Sequence, residues 1–299
     1  MTAQIIDGKT LAQNICDDLK QKISALNGQV PSLAVILVGD DEASRIYVRN
    51  KKKKAQETGI DCDVIELSAS IGENALLQII DELNANPQVN GIIVQLPLPA
   101  HLDSQKIISR IAPHKDVDGF TPYNSGLLSY NSPQAIVSAT PKGALELLRS
   151  TGVSLSGKHA VIIGRSHIVG RPMGKLLLNA DCTVTITHSL TTDLKKITQT
   201  ADIIVSACGQ PKMLKSDWIK SGAIIIDVGI TRVDGHICGD VDFDDVKEKA
   251  SFITPVPGGV GPMTIAMLLV NTYEAFKQAQ NNNSEHHCCH HHDCHCKHN

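Results

Sequence analysis

Short runs of β-branched residues alternate along this chain with longer amphipathic stretches, and this alternation limits the possible folds strongly. In the first half, the pattern predicts strands at 32–39, 62–67 and 91–99, separated by helices at 44–59 and 73–85. Strands that alternate with helices form parallel sheets covered by helices on their faces. We therefore expect an α/β fold.

A second series of strands and helices follows a stretch at 113–141, which is rich in Pro, Asn, Ser and Gly and predicts loops that connect two domains. Thr140 and Pro141 suit the N-cap and the first position of a helix that ends near Gly152. Beyond it we predict strands at 158–164, 183–188, 202–208, 223–230 and 252–257, and helices at 171–180 and 262–280.

The bulk composition indicates a soluble protein. With 299 residues and 42% hydrophobic content, the chain can bury one large core or two medium ones. A net charge of -3 disfavours nucleic acid and membrane surfaces as partners. The apolar runs are too short to cross a bilayer and the start lacks signal-peptide features, so we expect a cytoplasmic protein. Five scattered cysteines are predicted to be reduced thiols: Cys16, Cys62, Cys182, Cys208 and Cys238.

A glycine-containing turn, GRSHIVGRPMG (164–174), lies between a predicted strand and a predicted helix. Backbone N–H groups at such a turn bind the pyrophosphate of a dinucleotide. Ser166 occupies the position of the second glycine in the common motif, so the turn alone could also serve only the local backbone.

The end of the following strand bears on the choice of dinucleotide. An NAD site usually has an acidic residue there, whereas this chain has Thr187, His188 and Ser189. A hydroxyl group together with Arg165 would accept a 2′-phosphate, which favours NADP over NAD. The alternative is that Arg165 is a solvated surface residue.

Tyr47 and Lys51 are four residues apart on a predicted helix and therefore share one face. A tyrosine ring can lie against a flat heterocycle, and a lysine that is shielded from water or placed near other cations can take part in acid–base chemistry. Lys52, Lys53 and Lys54 supply such cations. A run of four lysines can equally be a solvated helix face.

Five blocks of sequence resemble those of the bifunctional methylenetetrahydrofolate dehydrogenase/cyclohydrolase family, in the same order. They are YVRNKKKK (47–54), GIIVQLPLP (91–99), KDVDGF (115–120), GRSHIVGRPMG (164–174) and TPVPGGVGPMT (254–264), and the similarity covers about residues 1–280. The resemblance implies an N-terminal α/β substrate domain (1–140 plus 262–284) and a Rossmann-like NADP-binding domain (141–261). The C-terminal helix is expected to pack back on the first domain.

The resemblance also implies the reaction and the residues that serve it. NADP oxidises 5,10-methylenetetrahydrofolate to the 5,10-methenyl form, which is then hydrolysed to 10-formyltetrahydrofolate by a homodimer. Lys51 would manage proton transfers, held by Gln95 and Tyr47, and Asp118 would bind the pterin ring. Further substrate contacts are expected from Leu96, Pro97, Pro257, Gly258 and Gly261, and cofactor contacts from Gly164, Arg165, Ser166, Ser189 and Ile230.

Other interpretations of the same residues stay open. Gln95, Asp118 and the glycines near 258 could each serve only the local turn. The whole chain could be an NADP dehydrogenase with one activity on another small substrate, or a metal carrier built on an inactive scaffold of this family.

The last residues differ from the rest of the chain. Seven histidines and four cysteines fall between His286 and His298, so we predict a disordered tail at 285–299. Imidazole and thiolate groups at this density are ligands for zinc, nickel or copper, although a purification tag is an alternative. The candidate ligands are His286, His287, Cys288, Cys289, His290, His291, His292, Cys294, His295 and Cys296.

Overall fold

The computed structural model describes residues 2–288, and the side chains only as far as Asn281. All ten candidate metal ligands of the tail therefore lie outside the described side chains. The first half of the chain contains β1 (Gln4–Ile5), α1 (Gly8–Ser24), β2 (Ser32–Val38), α2 (Glu42–Thr58), β3 (Asp61–Leu67), α3 (Glu73–Ala85), β4 (Gly91–Val94), α4 (Ser104–Arg110) and α5 (Pro122–Ser129).

The second half begins with a helix and continues as a strand–helix series. Its elements are α6 (Ala139–Ser150), β5 (His159–Ile163), α7 (Gly170–Asn179), β6 (Thr183–Thr187), α8 (Leu194–Thr198), β7 (Ile203–Ser206), a 3-10 turn (Ser216–Trp218), β8 (Ile224–Asp227), β9 (Thr231–Val233), β10 (His236–Cys238), α9 (Phe243–Val246), β11 (Phe252–Ile253) and α10 (Val260–Cys288).

Two parallel sheets confirm the predicted α/β class. The first sheet has the order β3-β2-β4, and the second has the order β1-β11-β8-β7-β5-β6. The central strands are continuous apolar runs because helices cover both of their faces. In β2, for example, Leu33 and Val35 enter one core cluster, whereas Ala34 and Ile36 enter another on the opposite face.

One core cluster runs through both halves of the molecule. It contains Val35 from the first sheet, Ile162 from the second, and Leu147 and Leu268 from the helices between them. The helix α10 packs against α1 and α6, which confirms that the C-terminal helix returns to the first domain. The active-site elements of the two halves are therefore held by shared apolar packing.

The N-terminal segment adds a strand to the second sheet. The strand β1 pairs with β11, with Gln4 beside Phe252, although the predicted first domain begins at residue 1. A strand of two residues is too short to show a periodic pattern in the sequence. Its pairing also depends on β11, which is distant in the chain and offers a free edge.

Several predicted boundaries also differ from the structure. The helix α6 is capped at Ser138 rather than Thr140, and α5 lies inside the stretch that was predicted as loops. The strand predicted to continue to 230 ends at Asp227, and the hairpin β9–β10 follows it. The last helix continues to Cys288 because no Pro or Gly interrupts it after Pro262.

Candidate active site

Helix α2 begins at a defined cap that places its side chains against the first sheet. The carboxylate of Asp41 accepts a hydrogen bond from Ser44 N at 2.7 Å, and the helix ends at Gly59 with a φ of 87°. Val48, Lys51 and Ala55 lie on its buried face. The run of four lysines is therefore divided between environments, because Lys51 is buried and its neighbours are half-buried or exposed.

Lys51 is held by the residue that follows the β4 strand end. Its Nζ donates to Gln95 Oε1 at 3.1 Å, and Gln95 Nε2 donates to Leu96 O at 2.6 Å. The same Nζ lies 4.9 Å from the centre of the Tyr47 ring. The amide of Gln95 thus has both ends engaged, and it fixes the position of the lysine amine.

Burial lowers the pKa of Lys51, and the charge of Asp118 opposes this shift. The adjacent lysines are not among the causes of the shift, so desolvation accounts for it rather than the cationic neighbours considered from the sequence. Burial also raises the pKa of Asp118, against the attraction of Lys51. The two shifts bring the proton affinities of the lysine and the carboxyl closer together, which suits groups that exchange protons in a site.

The two aspartates of the KDVDGF block have different roles in the structure. Asp116 accepts hydrogen bonds from Phe120 N at 3.1 Å and Thr121 N at 2.8 Å, so it builds the turn. Asp118 instead lines a cavity together with Lys51. The chain turns at Gly119, where φ is 68°, and the two aspartates therefore have different surroundings.

The cavity around Lys51 has a volume of 170 Å³. Its lining residues are Tyr47, Lys51, Val94, Gln95, Leu96, Asp118, Phe120, Ala139, Thr140, Ile168 and Thr264. Burial raises the pKa of Tyr47, and its hydroxyl hydrogen-bonds with Thr264. Thr264 Oγ1 lies 3.0 Å from Thr140 Oγ1.

Both threonines were missed as site residues. Thr140 was interpreted as a helix cap, and Thr264 lies one turn into α10 after Val260, to whose carbonyl it donates at 3.2 Å. Thr264 is the last residue of the block TPVPGGVGPMT (254–264), and this position could have indicated that it lies at the site.

A larger cleft of 570 Å³ lies between the two halves and shares Tyr47, Gln95 and Leu96 with this cavity. Its walls include the predicted substrate residues Pro97, Pro257, Gly258 and Gly261. Ile230, predicted to contact the cofactor, lines the same cleft near Gly261, with 62% of its surface exposed. Asp227 also lines the cleft and was not identified from the sequence.

The glycine turn joins the carboxyl ends of three strands of the second sheet. Gly164 has a φ of 123°, and its N–H donates to Thr187 O at 3.0 Å. A methyl group at this position would overlap the carbonyl oxygen of Ala207, and one at Gly170 would overlap that of Gly164. The backbone is therefore as close-packed as a dinucleotide turn requires.

Ser166, at the position of the second glycine in the common motif, stabilises the turn that leads into α7. Its Oγ accepts hydrogen bonds from Val169 N at 3.1 Å and Gly170 N at 3.3 Å, next to the start of α7. Arg165 and Ser189 are exposed after the adjacent strands β5 and β6. The structure thus brings together Gly164, Arg165, Ser166 and Ser189, and it places Ile230 apart from them in the cleft.

Among residues whose placement is described, no group of three or more His, Cys, Asp or Glu side chains could hold a metal ion. Within those residues, no helix is long and apolar enough to cross a membrane. The five cysteines predicted to be reduced are free thiols.

Comparison with known proteins covers nearly the whole described chain. Residues 6–118 match the family model of the tetrahydrofolate dehydrogenase/cyclohydrolase catalytic domain, and residues 138–280 match its NAD(P)-binding domain. A bifunctional protein FolD from Listeria innocua is 52% identical over 278 residues, which span 92% of this chain and 98% of that protein.

Solved structures give the same result. The bifunctional enzyme FolD from Campylobacter jejuni has a TM-score of 0.91 and 48% identity, covering 94% of this chain and 99% of that chain. The Trypanosoma brucei enzyme, solved with NADP and an inhibitor, has a TM-score of 0.89 and 41% identity, covering 93% and 99% of the two chains. This chain therefore belongs to the tetrahydrofolate dehydrogenase/cyclohydrolase family.

Proposed function

We propose that this protein oxidises 5,10-methylenetetrahydrofolate to 5,10-methenyltetrahydrofolate with NADP and then hydrolyses the product to 10-formyltetrahydrofolate. The observation that carries the proposal is the 3.1 Å contact between Lys51 Nζ and Gln95 Oε1 inside a cavity that shares Tyr47, Gln95 and Leu96 with the larger cleft. Relatives that are 52% identical are named as bifunctional.

The folate would lie in the cavity and the cleft, held mainly by the first half of the chain. Asp118 would accept hydrogen bonds from the amino edge of the pterin ring, which presents two donors side by side. The Tyr47 ring would lie against the heterocycle, and Leu96, Pro97, Pro257, Gly258 and Gly261 would line the remaining surface.

The nucleotide edge of the second sheet fits NADP. Gly164 and Ser166 would hold the pyrophosphate, and Ile230 would border the nicotinamide. Arg165 and Ser189 would bind the 2′-phosphate because no carboxylate follows β6 to repel it. Bound NADP supplies the acceptor for the hydride that leaves the methylene carbon.

Hydrolysis would depend on Lys51. Its lowered pKa lets the amine accept a proton from the water that adds to the methenyl carbon. The same amine would supply a proton to the ring nitrogen when the carbon–nitrogen bond breaks. Gln95 would keep the amine in place through both transfers.

Catalysis and nucleotide binding are assigned to different proposed domains. Residues 1–140 and 262–284 would form the catalytic domain and residues 141–261 the nucleotide domain, with β1 contributed to the second sheet. We expect the protein to be cytoplasmic.

An assay with methylenetetrahydrofolate and either dinucleotide tests the proposal. We expect reduced nucleotide to form with NADP at a kcat/KM at least about tenfold above that with NAD, and methenyltetrahydrofolate to be hydrolysed. The Arg165→Gln variant should lose about 10- to 100-fold of this preference, because a charge-assisted hydrogen bond contributes about 1.5–3 kcal/mol. Arg149→Gln, which lies on α6 and pairs with Glu146, is the control.

The assay also separates the competing interpretations. Oxidation without hydrolysis would indicate a dehydrogenase with one activity. No turnover with either nucleotide would favour a metal carrier on an inactive scaffold, and it would contradict the proposed function.

We also propose that the protein is a homodimer. The strand β6 is an edge of the second sheet, and apolar side chains remain exposed beside it, with Leu178 at 54% and Ile186 at 40%. An exposed edge with apolar neighbours is typical of a surface that pairs with another chain. Sedimentation at the monomer mass would contradict this assignment.

The tail at 285–299 is proposed to bind zinc, nickel or copper. Both family models end at or before residue 280, so the folate chemistry does not need it. We expect metal analysis of the purified full chain to find bound metal that is lost when residues 285–299 are deleted. Equal metal content in the two proteins would contradict the proposal, and unchanged folate activity in the shortened protein is the control.

A further inference from the structure

Two buried acidic side chains lie where the second sheet meets the cleft. Asp227 is the last residue of β8 and is 3% exposed, and Asp240 follows β10 and is fully buried. No salt bridge to either carboxylate is found among the described side chains. Two adjacent buried carboxyls without a cation are costly, so hydrogen bonds must compensate for the lost hydration.

Asp227 holds the base of the β9–β10 hairpin. Its Oδ1 accepts hydrogen bonds from Gly229 N at 2.9 Å and from Asp240 N at 3.0 Å. Its Oδ2 accepts one from Val241 N at 2.9 Å. The residues before and after the hairpin are thus tied to one carboxylate. The side chain lies so close to Gly239 that any Cβ there would overlap Oδ2.

Asp240 holds the loop that follows β7. Its Oδ2 accepts hydrogen bonds from Cys208 N at 2.8 Å, Gly209 N at 3.2 Å and Ser206 Oγ at 3.2 Å. Its Oδ1 is buried without a hydrogen-bond partner among the described residues and lies where a Cβ at Gly229 would be. Each acid therefore packs on a glycine beside the other, and the two segments interlock.

The interlocked segments adjoin the cleft and the glycine turn. Ile230, Arg232 and Ile237, within or next to the hairpin, line the cleft. The loop at Cys208 follows a strand whose carboxyl end lies beside that of β5, and a Cβ at Gly164 would overlap the carbonyl oxygen of Ala207 in this loop. A shift of the loop would therefore disturb the glycine turn, whereas Lys51 and Gln95 belong to α2 and the end of β4 in the other half.

We propose that Asp227 and Asp240 are positioning residues for the dehydrogenase step alone. With one negative charge, the pair holds the hairpin and the loop after β7 in the arrangement that binds the dinucleotide; with two, mutual repulsion loosens both segments. This inference rests on the proposed function. It adds a pH dependence of dinucleotide binding that hydrolysis does not share.

The direction of the pH effect follows from the environment of Asp227. Burial, with a contribution from Asp240, raises the pKa of Asp227 from 3.8 to about 7. The folded protein thus keeps a proton that the unfolded chain has already lost. The resulting stabilisation is complete below pH 3.8 and is lost as the pH rises through about 7.

Other titratable and charged groups lie around the pair. The thiol of Cys208 faces Asp240 at 3.4 Å, and burial raises its pKa to about 11. Arg232 lines the same cleft, Lys212 donates its backbone N–H to Gly239 O at 3.0 Å, and His236 lies in the hairpin itself. Substitution of either aspartate leaves all of these groups in place, so the difference from the parent protein reports the pair.

NADP binding to the full chain, measured by titration calorimetry without folate, tests the inference. In the parent protein the Kd should rise at least about tenfold between about pH 6.5 and 8.5. In Asp227→Asn and in Asp240→Asn, which each remove one charge, it should rise less than about twofold. The nucleotide's own phosphate titrates alike in all proteins, so the difference between them reports the pair.

Asp202→Asn is the matched control. Asp202 lies in the same domain and accepts a backbone hydrogen bond from His159 N at 3.0 Å, but it precedes the amino end of β7, whereas Asp227 lies at the carboxyl end of β8. It should retain the parent pH profile. Hydrolysis of methenyltetrahydrofolate should stay within about twofold of the parent rate in Asp240→Asn and Asp202→Asn, because neither residue lines the cavity or the cleft.

Three outcomes would overturn the inference: a parent Kd that does not change with pH, variants that keep the parent profile, or hydrolysis that falls together with binding. Failure of the proposed function would look different. It would appear as absent folate turnover in the parent protein, whatever its nucleotide affinity.

Discussion

Replacing Lys51 by Met should abolish hydrolysis of methenyltetrahydrofolate while folate binding remains measurable. Methionine fills nearly the same volume in the buried position but has no amine, so no group at that place can accept or return a proton. General acid–base catalysis contributes about 10²- to 10⁴-fold, and we expect a loss of that size. The measurement is the decay of methenyltetrahydrofolate absorbance, with folate affinity determined separately by titration.

Lys52→Met provides the control for this prediction. Lys52 is the next residue of α2, is half-buried and lines neither the cavity nor the cleft. It should hydrolyse the substrate at the parent rate. If Lys51→Met also retained the parent rate, the assignment of Lys51 would have to be abandoned.

Replacing Gly164 by Ala should produce the opposite separation, with nucleotide binding impaired and hydrolysis retained. The φ of 123° is a region that essentially only glycine adopts, and the added methyl group would overlap the carbonyl oxygen of Ala207. Strain of this kind costs about 1–3 kcal/mol, which corresponds to about 5- to 150-fold in NADP affinity if relief requires the turn to move. Titration with NADP measures it.

Gly157→Ala separates the effect of a positive φ from the effect of the steric overlap. Gly157 also has a positive φ, at 75°, but no atom lies within 4 Å of a Cβ placed there. It should reduce thermal stability without changing NADP affinity. Equal NADP affinities for Gly164→Ala and the parent would show that the turn does not approach the nucleotide.

The sequence contained the parts of the site that depend on local pattern and order along the chain. The helix predicted at 73–85 is found at Glu73–Ala85, because its apolar spacing is regular and its ends are clear. The contact between Lys51 and Gln95, which the family resemblance implied, is also found. From the residues alone, helix spacing placed Tyr47 and Lys51 on one face, and the strand pattern placed Gln95 at a carboxyl end of the sheet.

Features that depend on contacts between distant segments could not be predicted in this way. The strand β1 exists only because β11 offers it an edge. Asp116 and Asp118 look equivalent in sequence. Because the chain turns at Gly119, Asp116 accepts backbone hydrogen bonds and Asp118 lines the cavity. Asp240 lies 13 residues from Asp227 in the chain, and their interlock follows from the fold of the hairpin between them.

The apolar layer of α6 and α10, which belongs to the cores of both sheets, has a mechanical consequence. A large hinge opening between the two halves would separate these packed side chains and expose them to water. Such an opening is therefore disfavoured relative to small sliding movements of the packed helices. Folate and nucleotide must therefore enter and leave chiefly by movements of the loops at the mouth of the cleft.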